Sequence, residues 1–167
     1  SGVNFLYDIG IYLLRAILGL LALFNEKINL FLTGRKSTFE RLENTIEQGD
    51  LTLWFHCASL GEFEQGRPVI EALSALNPKY KIVLTFFSPS GYEIQKNYAF
   101  ADAVVYLPLD TRKNAKKFLK IVHPSMAVFV KYEFWPNLLR ELKNQNVPTY
   151  LISGIFREDQ IFFKGYG

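Results

Sequence analysis

The sequence predicts an α/β fold: a Rossmann-like parallel sheet with helices on both faces, preceded by a hydrophobic N-terminal helix. Three observations carry that prediction. Five short runs, at 51–57, 81–87, 103–109, 126–130 and 149–153, are apolar nearly throughout, as strands buried on both faces must be. Helical patterns separate them at 61–76, 90–99, 111–121 and 136–146, and such alternation implies right-handed β-α-β units. A chain of 167 residues, 49% hydrophobic and 21% charged, is long enough to bury a core without disulfides and too apolar to be disordered. Its single cysteine, Cys57, excludes an internal disulfide framework, and with only His56 and His123 beside it a zinc site is disfavoured. The net charge of +3 permits an anionic partner without requiring one.

The first apolar run, at 9–24, contains Arg15 and is shorter than the roughly 20 residues of a spanning helix. Phe5, Ile9, Leu13, Ile17, Leu20, Phe24, Ile28 and Phe31 follow one helical repeat. Two readings compete. The helix lies in a membrane interface, with Arg15, Lys27, Arg35 and Lys36 near anionic head groups, or it is buried by its own or another domain. Residues 37–48 form the next expected helix. Ser37 and Glu40 read as a capping box, with Phe39, Leu42 and Ile46 on the apolar face.

In an open parallel sheet, ligands sit at the carboxyl ends of the strands. Five loops fall there: ASLGE (58–62), SPSG (88–91), the turn at 108–111, KYEFWPN (131–137) and SGIFRE (153–158). No G-x-G-x-x-G or P-loop motif is present, so nicotinamide and P-loop nucleotide chemistry lose support. In the first loop Gly61 lets a substrate approach the backbone, and Glu62 is placed to accept a proton from a hydroxyl. The same Ser59-x-x-Glu62 spacing is also a capping box, as is Ser90-x-x-Glu93. Ser90 and Gly91 open the second crossover helix, where free amides suit a phosphate or sugar hydroxyl, or simply form a turn. Glu133 stands beside Trp135, either as a functional carboxylate or as one satisfied by loop amides. Arg157 reads equally as a phosphate contact or as a surface arginine. The lysines 113, 116, 117 and 120 read as a solvated helix face, His56 as a packed histidine and Cys57 as a core residue.

Taken together, WFHCASLGEFEQGRPVIEAL, LTFFSPSGYE, VVYLPLD, KYEFWPN and LISGIFRE resemble the N-terminal domain of the Kdo (3-deoxy-D-manno-octulosonic acid) transferase family. The resemblance covers essentially the whole chain, including the hydrophobic helix and a Gly34-Arg35 turn. It implies an inverting, metal-independent GT-B glycosyltransferase without cofactor. Such an enzyme moves Kdo from CMP-Kdo to a lipid A precursor at the cytoplasmic face of the inner membrane, with no nucleic-acid partner. By this resemblance Glu62 is the general base, Glu133 a second functional acid, and Ser90 and Gly91 lie near the substrate cleft; with Ser59, Gly61 and Arg157, read from the loops themselves, they make up the expected substrate-binding set. The family's E-x-E-x-W-P-N motif has Lys131 in place of its first acid.

The expected organisation is a membrane-associating helix and turn over 1–36 and a Rossmann-like acceptor-binding domain over 37–167. The donor-binding domain is expected beyond Gly167, and the isolated fragment is expected to be inactive. Another GT-B glycosyltransferase, a sugar-nucleotide epimerase and a non-catalytic Rossmann-like module are the alternatives.

Overall fold

The structure, a computed structural model, describes residues 2–131, 134–152 and 164–165. Its elements run α1 (Gly2–Leu21), α2 (Glu26–Lys36), α3 (Thr38–Thr45), β1 (Leu51–Cys57), α4 (Leu60–Leu76), β2 (Tyr80–Phe86) and α5 (Pro89–Gln95). They continue with β3 (Ala103–Tyr106), α6 (Arg112–Val122), β4 (Met126–Val130), α7 (Pro136–Asn144), β5 (Thr149–Ile152) and β6 (Lys164–Gly165). The sheet order is β3-β2-β1-β4-β5-β6, with the first five strands parallel. The short β6 pairs antiparallel with β5, an edge the apolar pattern did not announce.

The five predicted strands are all present, and their uniform apolarity has a simple cause. Alternate residues face opposite layers, and both layers are filled. Trp54, Val83, Val105 and Phe129 point to the layer of α3, α6 and α7, where they meet Phe118 and Leu138. Phe55, Cys57, Leu84, Phe86 and Val128 point to the opposite layer, against Phe63 and Ile70 of α4. The indole of Trp54 anchors the first layer at 4.7 Å from Phe118 and 5.2 Å from Phe129. His56 is fully buried, with Nδ1 2.8 Å from the Thr85 hydroxyl, and Cys57 is fully buried as well. Both therefore have the core roles read from the sequence. The lysines of α6 are exposed, also as read.

Local expectations at helix starts and ends need correction. The N-terminal repeat is two helices, because Asn25 breaks it. Its side chain accepts the amides of Lys27 and Ile28 at 3.0 and 3.3 Å and starts α2 anew. Gly34 and Arg35 lie in the last turn of α2 rather than in a loop. Ser37 makes no capping box. Its backbone is helical (φ −93°, ψ −1°), so the hydroxyl turns back to the Gly34 carbonyl at 3.4 Å. The helix that follows ends at Thr45, short of the expected residue 48. Ser90 is likewise no cap: Ser88 starts α5 and Ser90 lies within it.

The first helix, α1, has no buried residue, and by length and composition it is long and apolar enough to cross a membrane. Its polarity is inverted relative to an ordinary surface helix. Polar side chains face the domain: Tyr7 donates to Asp110 Oδ2 (3.1 Å), Asp8 Oδ1 accepts from Asn137 (2.8 Å) and Asn4 Oδ1 accepts from Arg140 (2.6 Å). The apolar side chains face outward, with Val3 77%, Leu6 67% and Leu20 67% exposed.

Candidate active site

The strand order locates the site. From β1 the chain winds through β2 and β3 on one side, then crosses to β4 and β5 on the other. The carboxyl ends of β1 and β4 therefore flank the topological switch point, where open α/β sheets open a crevice. Gly66 lets α4 sit close over this position. It is buried, and a Cβ there would stand 2.8 Å from Val130 Cγ2.

Glu62 enters from the β1 side, in the first turn of α4. Lys131 enters from the β4 side, directly after the strand. Its backbone is left-handed (φ 63°), held by an N–H bond to the Ile152 carbonyl of β5 at 2.6 Å. The Lys131 ammonium lies 3.8 Å from Glu62 Oε1. Ser59 is the N-cap of α4, but its side chain makes no cap bond to the backbone. The hydroxyl instead donates to Glu62 Oε2. The capping-box half that would occupy Ser59 is thus not made, and both carboxylate oxygens have polar partners at the crevice. The Glu62 side chain keeps 19% of its surface exposed.

Those contacts favour the ionised carboxylate. The Ser59 hydroxyl is the main cause holding Glu62 below the ordinary glutamate range. Partial burial opposes it, and the amides of Glu62 and Ser59 and the Lys131 charge add to it. A carboxylate held this way is unprotonated at neutral pH and can accept a proton. If Glu62 is the base, the acid limb of the kcat/KM profile lies below the usual glutamate value of about 4.3. Ser59→Ala removes the strongest of these contacts, so the limb moves toward higher pH. A pH–rate profile of the two proteins checks this, and an unmoved limb separates Ser59 from the titrating group.

The other predicted residues are distributed as follows. Gly61 is exposed, and among the described residues only Ser59 Oγ, at 3.9 Å, approaches a Cβ built there. Ser90 is exposed and its hydroxyl lies 2.7 Å from that of Ser88. Gly91 is buried, and a Cβ there would fall 2.4 Å from the Phe86 ring and 3.1 Å from the Leu60 amide. Its small size thus packs α5 against β2 and the start of α4. Glu133 and Arg157 lie outside the described residues. Arg15, Lys27 and Lys36 are exposed.

Arg35 departs from the head-group role expected of it. Its guanidinium turns inward over the Phe31 ring (3.7 Å), donating to the carbonyls of Phe31 (2.8 Å) and Phe87 (2.6 Å). Gly34 makes this possible, since any Cβ there would collide with the Tyr106 ring at 2.2 Å. The aromatic side of the edge continues from Phe87 to Trp135 (5.0 Å) and from Trp135 to His56 (6.0 Å).

One residue escaped sequence reasoning. Asp110 is almost completely buried, accepting the amides of Asn137 (3.0 Å) and Leu138 (2.9 Å) and the Tyr7 hydroxyl (3.1 Å). It caps α7 from a distance and ties that helix to α1. The available signal was an acid closing the apolar run VVYLPLD, but the pattern does not name its partners.

A family model described as 3-deoxy-D-manno-octulosonic-acid transferase (kdotransferase) matches residues 33–165. The 3-deoxy-D-manno-octulosonic acid transferase of Haemophilus influenzae is 30% identical over 138 residues, covering 81% of this chain and 31% of the relative. That of Aquifex aeolicus is 36% identical over 102 residues, covering 60% of this chain and 27% of the relative. A bifunctional glycosyltransferase/methyltransferase of Fusobacterium nucleatum is 28% identical over 133 residues, covering 77% of this chain and 20% of the relative. The chain thus spans about a third or less of the length of these relatives.

Proposed function

The chain belongs to the Kdo transferase family, and on that premise we propose that it is the acceptor-side half of an inverting glycosyltransferase of lipopolysaccharide assembly. The complete enzyme transfers Kdo from CMP-Kdo to a lipid A precursor, without metal or cofactor. The observation that carries this reading is the Glu62 carboxylate at the switch-point edge, held by the Ser59 hydroxyl and the Lys131 ammonium.

The step balances simply. The acceptor hydroxyl oxygen attacks the anomeric carbon of the donor sugar, and Glu62 takes the hydroxyl proton as the new C–O bond forms. The old C–O bond to the phosphate breaks on the opposite face, and CMP leaves with the electron pair, so configuration inverts. Ser59 and Lys131 hold the carboxylate in position and ionised before the acceptor arrives. Ser90, Gly91 and Arg157 belong to the substrate cleft in this reading. Glu133 is the second functional acid on its match to the family motif, and the donor is held mainly by a second domain. Assay of the full-length protein with CMP-Kdo and a lipid A precursor tests the reading, and absence of Kdo transfer overturns it.

The inverted polarity of α1 supports a membrane role for residues 1–36: polar groups bind the domain and apolar groups face away from it. In this reading the helix lies at the cytoplasmic face of the inner membrane, close to a lipid acceptor. Deleting residues 1–32 from the full-length protein is expected to move it from the membrane pellet to the supernatant on sedimentation. Unchanged sedimentation would remove α1 as the anchor.

A further inference from the structure

Between α1, α2 and the loop after β3 lies a cavity of about 520 Å³. Arg15 of α1 and Arg35 and Lys36 of α2 line it, and among the described residues no acidic side chain does. Among the described residues none of the three cations is ion-paired with a carboxylate. Arg35 is the most confined of them: two of its nitrogens bond carbonyls, while Nε is buried without an acceptor. Its burial with no counter-ion lowers its pKa to about 9. The remaining wall is mixed, with Leu23, Leu32 and Leu109 as its apolar part and Asn29, Thr33 and Asn114 as neutral polar groups. At the adjoining α1–α2 turn, Leu23 and Phe24 are 75% and 90% exposed.

Cationic side chains without a carboxylate partner among the described residues, beside leucines of the wall and an exposed apolar tip, call for an occupant that is both anionic and greasy. We propose that this cavity binds the phosphate group of an acylated lipid, with Arg15 and Lys36 on the phosphate oxygens and the acyl chain leaving over Leu23 and Phe24. Arg35 contributes a fixed positive charge from behind, and its bond to the Phe87 carbonyl joins the cavity wall to the loop beside the crevice. Such a site would seat the domain on an anionic lipid at a defined depth and orientation. It goes beyond the transfer reaction and is read by binding alone, so it stands or falls separately from the role of Glu62.

The test is titration of the intact protein, in a non-ionic detergent, with dihexanoyl phosphatidic acid. Binding is expected to saturate at one site and to weaken by about tenfold or more in the double variant R15Q/K36Q, which loses two charge-assisted contacts. K116Q/K120Q removes the same charge from the exposed face of α6 and should bind as the native protein does. Dihexanoyl phosphatidylcholine and inorganic phosphate should each bind at least about tenfold more weakly than the phosphatidic acid, since one lacks net charge and the other the chain. In protein labelled with 15N-arginine, the Arg35 Nε–H resonance should shift along the same saturation curve. The proposal is overturned by absence of saturable binding, by R15Q/K36Q binding as tightly as native, or by either control ligand matching phosphatidic acid.

Discussion

Glu62→Gln is expected to lower Kdo transfer by the full-length protein by about 10²–10⁴-fold, the usual contribution of a positioned general base. The substitution is nearly isosteric. The amide oxygen can still accept from the Ser59 hydroxyl, and the side chain sits partly exposed at a helix start rather than in the core. Its structural cost is therefore small: about 0.3–1 kcal/mol of lost interaction with the helix dipole. What Gln cannot do is take a proton. The loss should appear in kcat with KM little changed, because in the proposed reaction the carboxylate acts as the acceptor hydroxyl is deprotonated. Initial rates with CMP-Kdo and a lipid A precursor, beside a melting curve for each protein, separate the two effects. A variant that melts normally and transfers Kdo at the native rate would dismiss Glu62 as the base.

Asp110→Ala is expected to cost about 2–4 kcal/mol of folding stability, as the sum of a lost helix cap and unsatisfied buried donors. The N-cap residue of α7, Trp135, makes no side-chain cap bond, so among the described residues Asp110 is the side chain that caps this helix. Removing the carboxylate leaves the amides of Asn137 and Leu138 without their acceptor and releases the Tyr7 hydroxyl of α1. Urea unfolding of native and variant protein measures the difference, and a change below about 1 kcal/mol would place the capping elsewhere.

The same residue makes a statement about pH. Burial is the main cause raising the Asp110 pKa, and the two amides and Tyr7 oppose it. The folded protein then holds this proton more tightly than the unfolded chain does. The associated stability is present below the unfolded aspartate value of about 3.9 and declines as pH rises through the folded value. The margin between native protein and the non-titrating Asp110→Asn variant should accordingly shrink over that interval.

Much of this architecture is visible in residue patterns. Strands filled on both faces carry their own signature, and each of the five runs is a strand in the expected order. The position of Ser59, Gly61 and Glu62 at the β1–α4 junction follows from that order, because parallel strands present their carboxyl ends on one edge. Helix starts were less legible. Ser37, Ser59 and Ser90 share one S-x-x-E spacing, yet the structure uses each differently: Ser37 bridges two helices, Ser59 donates to a carboxylate and Ser90 lies within a helix. A capping box depends on backbone angles and on which acceptor is nearest, and the spacing specifies neither. Arg35 shows the same limit at longer range. Its charge suggested a head group, while its surroundings are three aromatic rings and two carbonyls, supplied by Phe31 of α2 itself, Phe87 just after β2 and Tyr106 of β3.

The sequence by itself determined the α/β class, the strand and helix order and the edge that carries Glu62, because these rest on periodicity and chain direction. Only the tertiary structure decided that Lys131 meets Glu62, that Asp110 caps α7 and holds α1, and that Arg35 faces inward. Each of those contacts joins segments distant along the chain. Which segments meet is set by strand order and by how closely glycines such as Gly34 and Gly66 let helices approach the sheet.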